Sequence, residues 1–160
     1  MEVSIKDINR SHIEVLHKWE MDEKLQVQTG VDVPRTYDQF FKAYESYFNG
    51  EKPNLYMKAV VLDGRLIGKV ELFRTPDKNF IGMVIAEKRN CGVGTEALHL
   101  FLAEILGLFG MEKVFAEVYE DNQGSLRFFE KNGFVPTGEI TEEWFRGKSR
   151  RLVTLKKELK

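Results

Sequence analysis

The sequence predicts an α/β domain, a mixed sheet of about seven strands with helices packed on it. Three observations carry this. Asp63-Gly64 joins two extended apolar runs, one of the strongest short-range hairpin signals. The glycine-bearing stretch Arg89–Thr95 follows a strand and opens a long apolar helix. Strand and helix signals also interleave in the order β-α-α-β-β-β-α-β-α-β-β, which is an open sheet covered by helices.

Val3, Ile5 and Ile8 mark a first strand. Ser11 is placed to cap a helix in which Ile13, Leu16, His17 and Trp19 recur at helical spacing. Thr36 precedes a second helical stretch with Phe40, Phe41, Tyr44, Tyr47 and Phe48, and Asn49-Gly50 and Pro53 stop it. Asn54–Leu62 and Arg65–Phe73 form the hairpin around Asp63-Gly64. After the turn Thr75-Pro76-Asp77, Asn79–Ile85 is a fourth strand. The helix after the glycine loop is apolar on nearly every face, which predicts complete burial against the sheet. Lys113–Tyr119 is a fifth strand, and Asp121-Asn122 starts a short helix that Asn132-Gly133 ends. Phe134–Glu143 and Arg150–Lys156 close the chain as a pair of strands around Gly147.

A chain of 160 residues is expected to form one domain with its own core. Its 42% hydrophobic and 31% charged residues are ordinary for a globular protein. The longest apolar runs fall far short of a membrane span, and Met1–Ile8 carries no apolar signal-peptide core. With one cysteine, Cys91, there is no internal disulfide, and three histidines argue against a zinc site. A net charge of −1 gives no broad nucleic-acid footprint. The expectation is a cytoplasmic protein that uses no metal, nucleic acid or membrane, and that works as a monomer or homodimer.

The glycine loop is the chemical signal. A helix start presents unpaired backbone N–H groups and the positive end of the macrodipole. Gly92 and Gly94 let the backbone approach an anion without a Cβ in the way. A mononucleotide P-loop requires Lys after the last glycine, and Thr95 stands there instead. A dinucleotide fingerprint is matched literally by Gly92, Gly94 and Ala97, yet four strands with a hairpin precede it, where parallel βαβ units belong. An acyl-coenzyme A diphosphate loop and a plain tight turn complete the alternatives.

Two ordered motifs decide among them by resemblance. Arg89-x-x-Gly92-x-Gly94 resembles the R/Q-x-x-G-x-G/A motif of the GNAT superfamily of acetyl-coenzyme A N-acetyltransferases. Asn122-Gln123-Gly124-Ser125-Leu126-Arg127-Phe128-Phe129-Glu130-Lys131-Asn132-Gly133-Phe134 resembles that family's N-x-x-S/A-x-x-x-Y-E-K-x-G-F signature. The opening helix with Trp19 and the tail from Gly138 to Gly147 look most like the branch of ribosomal-protein alanine and spermidine acetyltransferases. The resemblance implies about seven mostly antiparallel strands, splayed between the fourth and fifth, with about four helices. It implies acetyl-CoA as cosubstrate and a primary amine as acceptor, with a protein N-terminus, a polyamine, an aminoglycoside or an amino sugar as candidates.

Residue by residue, Met83, Val84 and Ile85 would offer backbone hydrogen bonds to the pantetheine arm lying in the splay. Arg89, Asn90, Cys91, Gly92, Val93, Gly94 and Thr95 would cradle the pyrophosphate. Asn122 would bond the pantetheine, with Ser125, Phe128 and Phe129 near its thiol end and Lys131 also on the cofactor. The amine must lose a proton to attack, so a carboxylate base is needed, and Glu117 matches the glutamate that some members use. Glu71 is the second carboxylate candidate. Phe129 departs from the family, whose tyrosine at that place protonates the leaving thiolate. A thiol pKa of about 8.5 makes the thiolate a tolerable leaving group, and Ser125, Tyr119 or a water can serve as acid. Trp19, Glu71, Tyr119 and Trp144, with Tyr37 and Tyr44, fall where this branch lines its acceptor pocket, and Glu20, Glu139, Glu142 and Glu143 can attract a cation. The Phe129 departure also permits a different class of function, a non-catalytic acyl-CoA sensor.

Overall fold

The structure, a computed structural model, describes residues 2–87 and 91–160. Its elements in chain order are β1 (Val3–Asp7), a 3-10 turn (Arg10–His12), α1 (Ile13–Glu20), α2 (Glu23–Thr29), α3 (Tyr37–Phe48), β2 (Leu55–Leu62), β3 (Arg65–Arg74) and β4 (Asn79–Ile85). Then come α4 (Val93–Phe109), β5 (Lys113–Tyr119), α5 (Gln123–Lys131), β6 (Val135–Phe145) and β7 (Lys148–Glu158). The seven strands form one sheet in the order β1-β2-β3-β4-β5-β7-β6. All neighbours are antiparallel except β4 and β5.

The parallel pair is the feature that matters most. β4 pairs with β3 over its whole length, from Gly68↔Ile85 to Arg74↔Asn79. β4 and β5 meet at a single rung, Phe80↔Phe115, and part beyond it. From Ile81 onward, β4 therefore presents backbone groups toward β5 that no ladder satisfies. The splay expected from the resemblance is present.

Local chemistry explains most boundaries. Asp63 and Gly64 both have positive φ, 49° and 85°, the pair a tight two-residue hairpin turn requires. Thr36 accepts from the Gln39 N–H while Gln39 returns the bond to the Thr36 N–H, a complete capping box on α3. The first helical stretch is capped two residues earlier than expected: the Asn9 side chain accepts from the Ser11 N–H and opens the 3-10 turn.

Where about four helices are expected, the described residues form five α-helices, Glu23–Thr29 making the short α2, capped by Asp22 and stopped by Gly30 in the left-handed region. One expectation is corrected. The helix α4 is not buried all round. Val93, Ala97, Leu98, Phe101, Leu102 and Ile105 form its buried stripe. Leu100, Leu108 and Phe109 lie on its exposed side, because the sheet covers only one face of it.

Each face of the sheet carries its own core. Ile81, Val114, Ala116, Leu155 and the buried stripe of α4 make one. Met57, Ala59 and Val61 with Ile13, Leu16, Phe40 and Tyr44 of α1 and α3 make the other. No helix among the described residues is long and apolar enough to cross a membrane.

Candidate active site

Two cavities adjoin at the splay. The first, about 580 Å³, runs from the parted backbone of Met83, Val84 and Ile85 past the start of α4 to Ser125, Phe128 and Lys131 on α5. The second, about 470 Å³, lies on the α1/α3 side and is lined by Trp19, Tyr44, Glu71, Gly82, Glu117, Tyr119 and Glu143 among others. Met83, Val84, Asn122, Ser125 and Phe129 line both, so the cavities meet at the mouth of the splay.

The first cavity is built for an anion and an amide-bearing arm. Gly92, at the N-cap of α4, has φ 79° and supplies no side-chain cap, so among the described residues no side chain caps the amides of the first turn. A Cβ on Gly94 would stand 3.1 Å from the Phe128 ring, so a larger residue there narrows the groove. The Asn122 Oδ1 accepts from the Ser125 N–H at 3.1 Å and caps α5. Its amide N–H2 has no protein partner among the described residues and is left for a ligand carbonyl. Arg127 and Lys131 add positive charge on the same wall.

The second cavity is acidic, and its carboxylates differ in how they are held. Glu20 is clamped by Arg35 through two side-chain bonds of 2.7 and 3.0 Å, which outweigh burial and keep its carboxyl below the ordinary value. Glu71 lies 3.4 Å from the Lys69 ammonium, and Lys69 also donates to the Tyr44 hydroxyl at 3.1 Å. Burial pulls the Lys69 ammonium down, and the Glu71 and Tyr44 contacts more than reverse it, so it stays a cation. Glu143 accepts from the Tyr119 hydroxyl at 3.2 Å. Burial, then the Glu143 carboxylate, pushes the Tyr119 phenol up, with Arg150 opposing.

Glu117 stands apart: among the described residues its carboxylate has no side-chain hydrogen bond or ion pair. Burial, then the carboxylates of Glu143 and Glu139, pushes its pKa up against the pull of Lys78. A carboxylate more basic than usual, unpartnered and facing a cavity is suited to taking a proton.

A family model described as an acetyltransferase (GNAT) domain matches residues 3–135. The chain belongs to the GNAT acetyltransferase family. It is thus an N-acetyltransferase, and its relatives agree. It is 26% identical over 134 residues to an N-acetyltransferase 9-like protein of Caenorhabditis briggsae, covering 75% of this chain and 67% of that protein. A solved spermidine N-acetyltransferase of Vibrio cholerae, in complex with CoA and spermine, superposes with a TM-score of 0.86. It shares 16% identity, and the match covers 98% of this chain and 95% of that one. An acetyltransferase of Salmonella typhimurium that modifies the N-terminal serine of ribosomal protein L7/L12 gives 0.83 at 16% identity, over 99% and 96% of the two chains. At that identity these two structures carry the fold alone.

Most of the residues singled out from the acetyltransferase's sequence line the two cavities. Glu117, Ser125, Trp19, Glu71 and Tyr119 surround the second, and Gly92, Gly94 and Thr95 the first. Val93 is buried in the core and lines neither cavity. Cys91 is exposed and lines neither cavity. Arg89 and Asn90 lie outside the described residues. Trp144 lies apart from both cavities: it is 72% exposed and lines neither. Strand alternation turns its neighbours Glu143 and Phe145 inward and Trp144 to solvent.

The residues that sequence reasoning missed sit on α2 and just beyond its end. Gln28 and Thr29 line both cavities, and Leu25 and Val31 the second. This short helix is held from the terminal hairpin. Arg150 donates to the Val27 carbonyl at 2.8 Å, and Arg146 to the Gln26 side chain at 2.6 Å. The Asp22 and Gly30 boundary residues were its only local signals, since seven residues give too short a stretch for helical periodicity.

Proposed function

We propose that this acetyltransferase moves the acetyl group of acetyl-CoA directly to a cationic primary amine, with Glu117 as general base. The observation that carries this is the up-shifted Glu117 carboxylate, without a side-chain partner among the described residues, in the wall of an acidic cavity that opens onto an amide-edged groove.

The residues of the first cavity fit the cosubstrate. The amides at the start of α4 suit its diphosphate, with Arg127 and Lys131 beside them. The unladdered backbone of Met83–Ile85 and the amide of Asn122 suit the pantetheine arm. Acetyl-CoA supplies a thioester, and the N–H groups at the β4 edge polarise its carbonyl. Glu117 takes one proton from the ammonium, the neutral nitrogen bonds to the carbonyl carbon, and the carbon–sulfur bond breaks as the nitrogen gives up its second proton. The Ser125 hydroxyl lines both cavities and forms no protein hydrogen bond among the described residues, so it is the group that passes the nitrogen's second proton on to the departing sulfur, losing one proton as it gains the other. Phe129 packs edge-to-face on Phe128 and Phe134 and brings no hydroxyl to that place.

For the acceptor we propose a protein N-terminus. The acidic lining of Glu71, Glu117 and Glu143 favours a polyamine as the second reading. The test is thiol release from acetyl-CoA across peptides with free N-termini, polyamines, aminoglycosides and amino sugars. Turnover with peptides identifies the first acceptor, and turnover confined to polyamines the second. Saturable acetyl-CoA binding without turnover on any amine overturns the catalytic reading in favour of a sensor.

A further inference from the structure

Gly82 sits in the middle of β4, a place where glycine weakens a strand. Its backbone does not require glycine, because its φ lies outside the left-handed region. Gly68 is a different case: a Cβ there would run into the Val84 carbonyl, so glycine is demanded by a backbone approach. At Gly82 the near neighbour is a side chain. A Cβ would stand 3.3 Å from Glu71 Cγ, 3.8 Å from its Cδ and 3.9 Å from its Oε1. The Glu71 side chain therefore lies over Gly82.

The sheet register shows where that takes the carboxylate. Glu71 pairs with Gly82, so both face the same side of the sheet. Phe80 pairs with Phe115 in the parallel rung, which sets Gly82 level with Glu117 two residues farther along each strand. In a parallel pair, level residues point to the same face. Glu71, Gly82 and Glu117 thus form one row, with the splay between the last two, and all three line the acidic cavity. Gly82 is the bed across which Glu71 reaches toward the gap, and Glu117 stands on the opposite bank.

We propose that Gly82 is a specificity-determining position that seats the acceptor ammonium between two carboxylates, Glu71 as its anchor and Glu117 as its base. The inference rests on the acetyl-transfer reading and adds the acceptor class: an aliphatic amine that arrives as a cation, rather than an aromatic amine that arrives neutral. Lys69, at 3.4 Å from Glu71, holds the anchor without occupying the row.

The test is calorimetric binding of two probes, spermidine and a hexapeptide with a free N-terminal serine, to the wild type, Gly82→Ala, Glu71→Gln and the double variant. Alanine fits the strand if Glu71 shifts by a few tenths of an ångström, so Gly82→Ala should melt no lower than the wild type. It should nonetheless weaken at least one probe fivefold or more while acetyl-CoA affinity is unchanged. Glu71→Gln should weaken the same probe, and the double variant should bind no worse than the weaker single one, since both changes remove one contact. Equal probe affinity in all four proteins, additive losses, or a wild type that binds neither probe overturns the proposal. Thiol release by the wild type, followed in parallel, tests the acetyl-transfer reading separately: unaltered turnover kinetics in Gly82→Ala sink the seat alone, and absence of turnover with retained probe binding sinks the chemistry alone.

Discussion

The guanidinium of Arg150 stacks on the ring of Tyr119, with Cζ 3.7 Å from the ring centre, and joins three elements around the acidic cavity. Arg150 is only 9% exposed. It donates to the Val27 carbonyl near the end of α2 and to Asp121, the residue before the cap of α5, both at 2.8 Å. On the far side of Tyr119, Gly30 leaves room for the phenol where any Cβ would collide with it. Replacing Arg150 by alanine removes a charge-assisted bond, a carbonyl bond and a cation–π contact. The expected cost is about 2–3 kcal/mol of stability, measured by urea unfolding, with part recovered by Arg150→Lys.

Glu117→Gln should lower kcat at least tenfold while acetyl-CoA affinity persists in calorimetry. The pH profile carries the sign. The Glu117 pKa is raised above 4.5, so the acid limb of the wild-type profile should lie above the usual carboxylate range and vanish in the variant.

The same shift gives a stability prediction. A raised folded-state pKa means the ionised carboxylate is worse off in the fold, so its contribution is lost as pH rises through that pKa. Glu117→Gln should melt slightly higher than wild type near neutrality, and the two melting curves should converge below the ordinary carboxylate pKa. A variant that melts lower at neutral pH contradicts the assigned environment.

Gly94→Val places branched carbons against Phe128, whose ring already stands 3.1 Å from the position of a Cβ. Acetyl-CoA affinity should fall at least tenfold by calorimetry, with the fold retained by circular dichroism. Equal affinity would remove the groove beside α4 from cosubstrate binding.

Ser125→Ala should reduce kcat severalfold rather than by the thousandfold loss of an essential acid, because a thiolate with a conjugate-acid pKa of about 8.5 departs without much help. Phe129→Tyr restores a hydroxyl beside the thiol end and should offset that loss in the double variant. Steady-state kinetics of the three proteins check both statements.

The order of elements, and the residues proposed to hold the cosubstrate, were legible because they rest on local chemistry. Asp63-Gly64, Thr36 and Gly92 act through their own backbone angles and caps, and the Asn122 motif is a helix start that reads the same in isolation. The acceptor half was not legible, because it is assembled over distance. The α2 wall is set by arginines more than 110 residues away in sequence. The shift of register between Pro136 and Ile140 interrupts the β6–β7 pairing, and Glu143 rather than Trp144 turns inward. The isolated polar character of Glu117 was visible in the sequence, whereas its lack of a partner emerges only once Arg35, Lys69 and Tyr119 are seen to engage the other carboxylates.

The single rung between β4 and β5 has a metabolic consequence on the proposed reading. The gap grips the pantetheine arm through main-chain groups, and that arm is identical before and after the acetyl group departs. Spent CoA should then occupy the gap about as well as the loaded form, so product competes with reactant at every turnover. Such an enzyme responds to the ratio of acetyl-CoA to CoA in its surroundings rather than to the amount of acetyl-CoA alone.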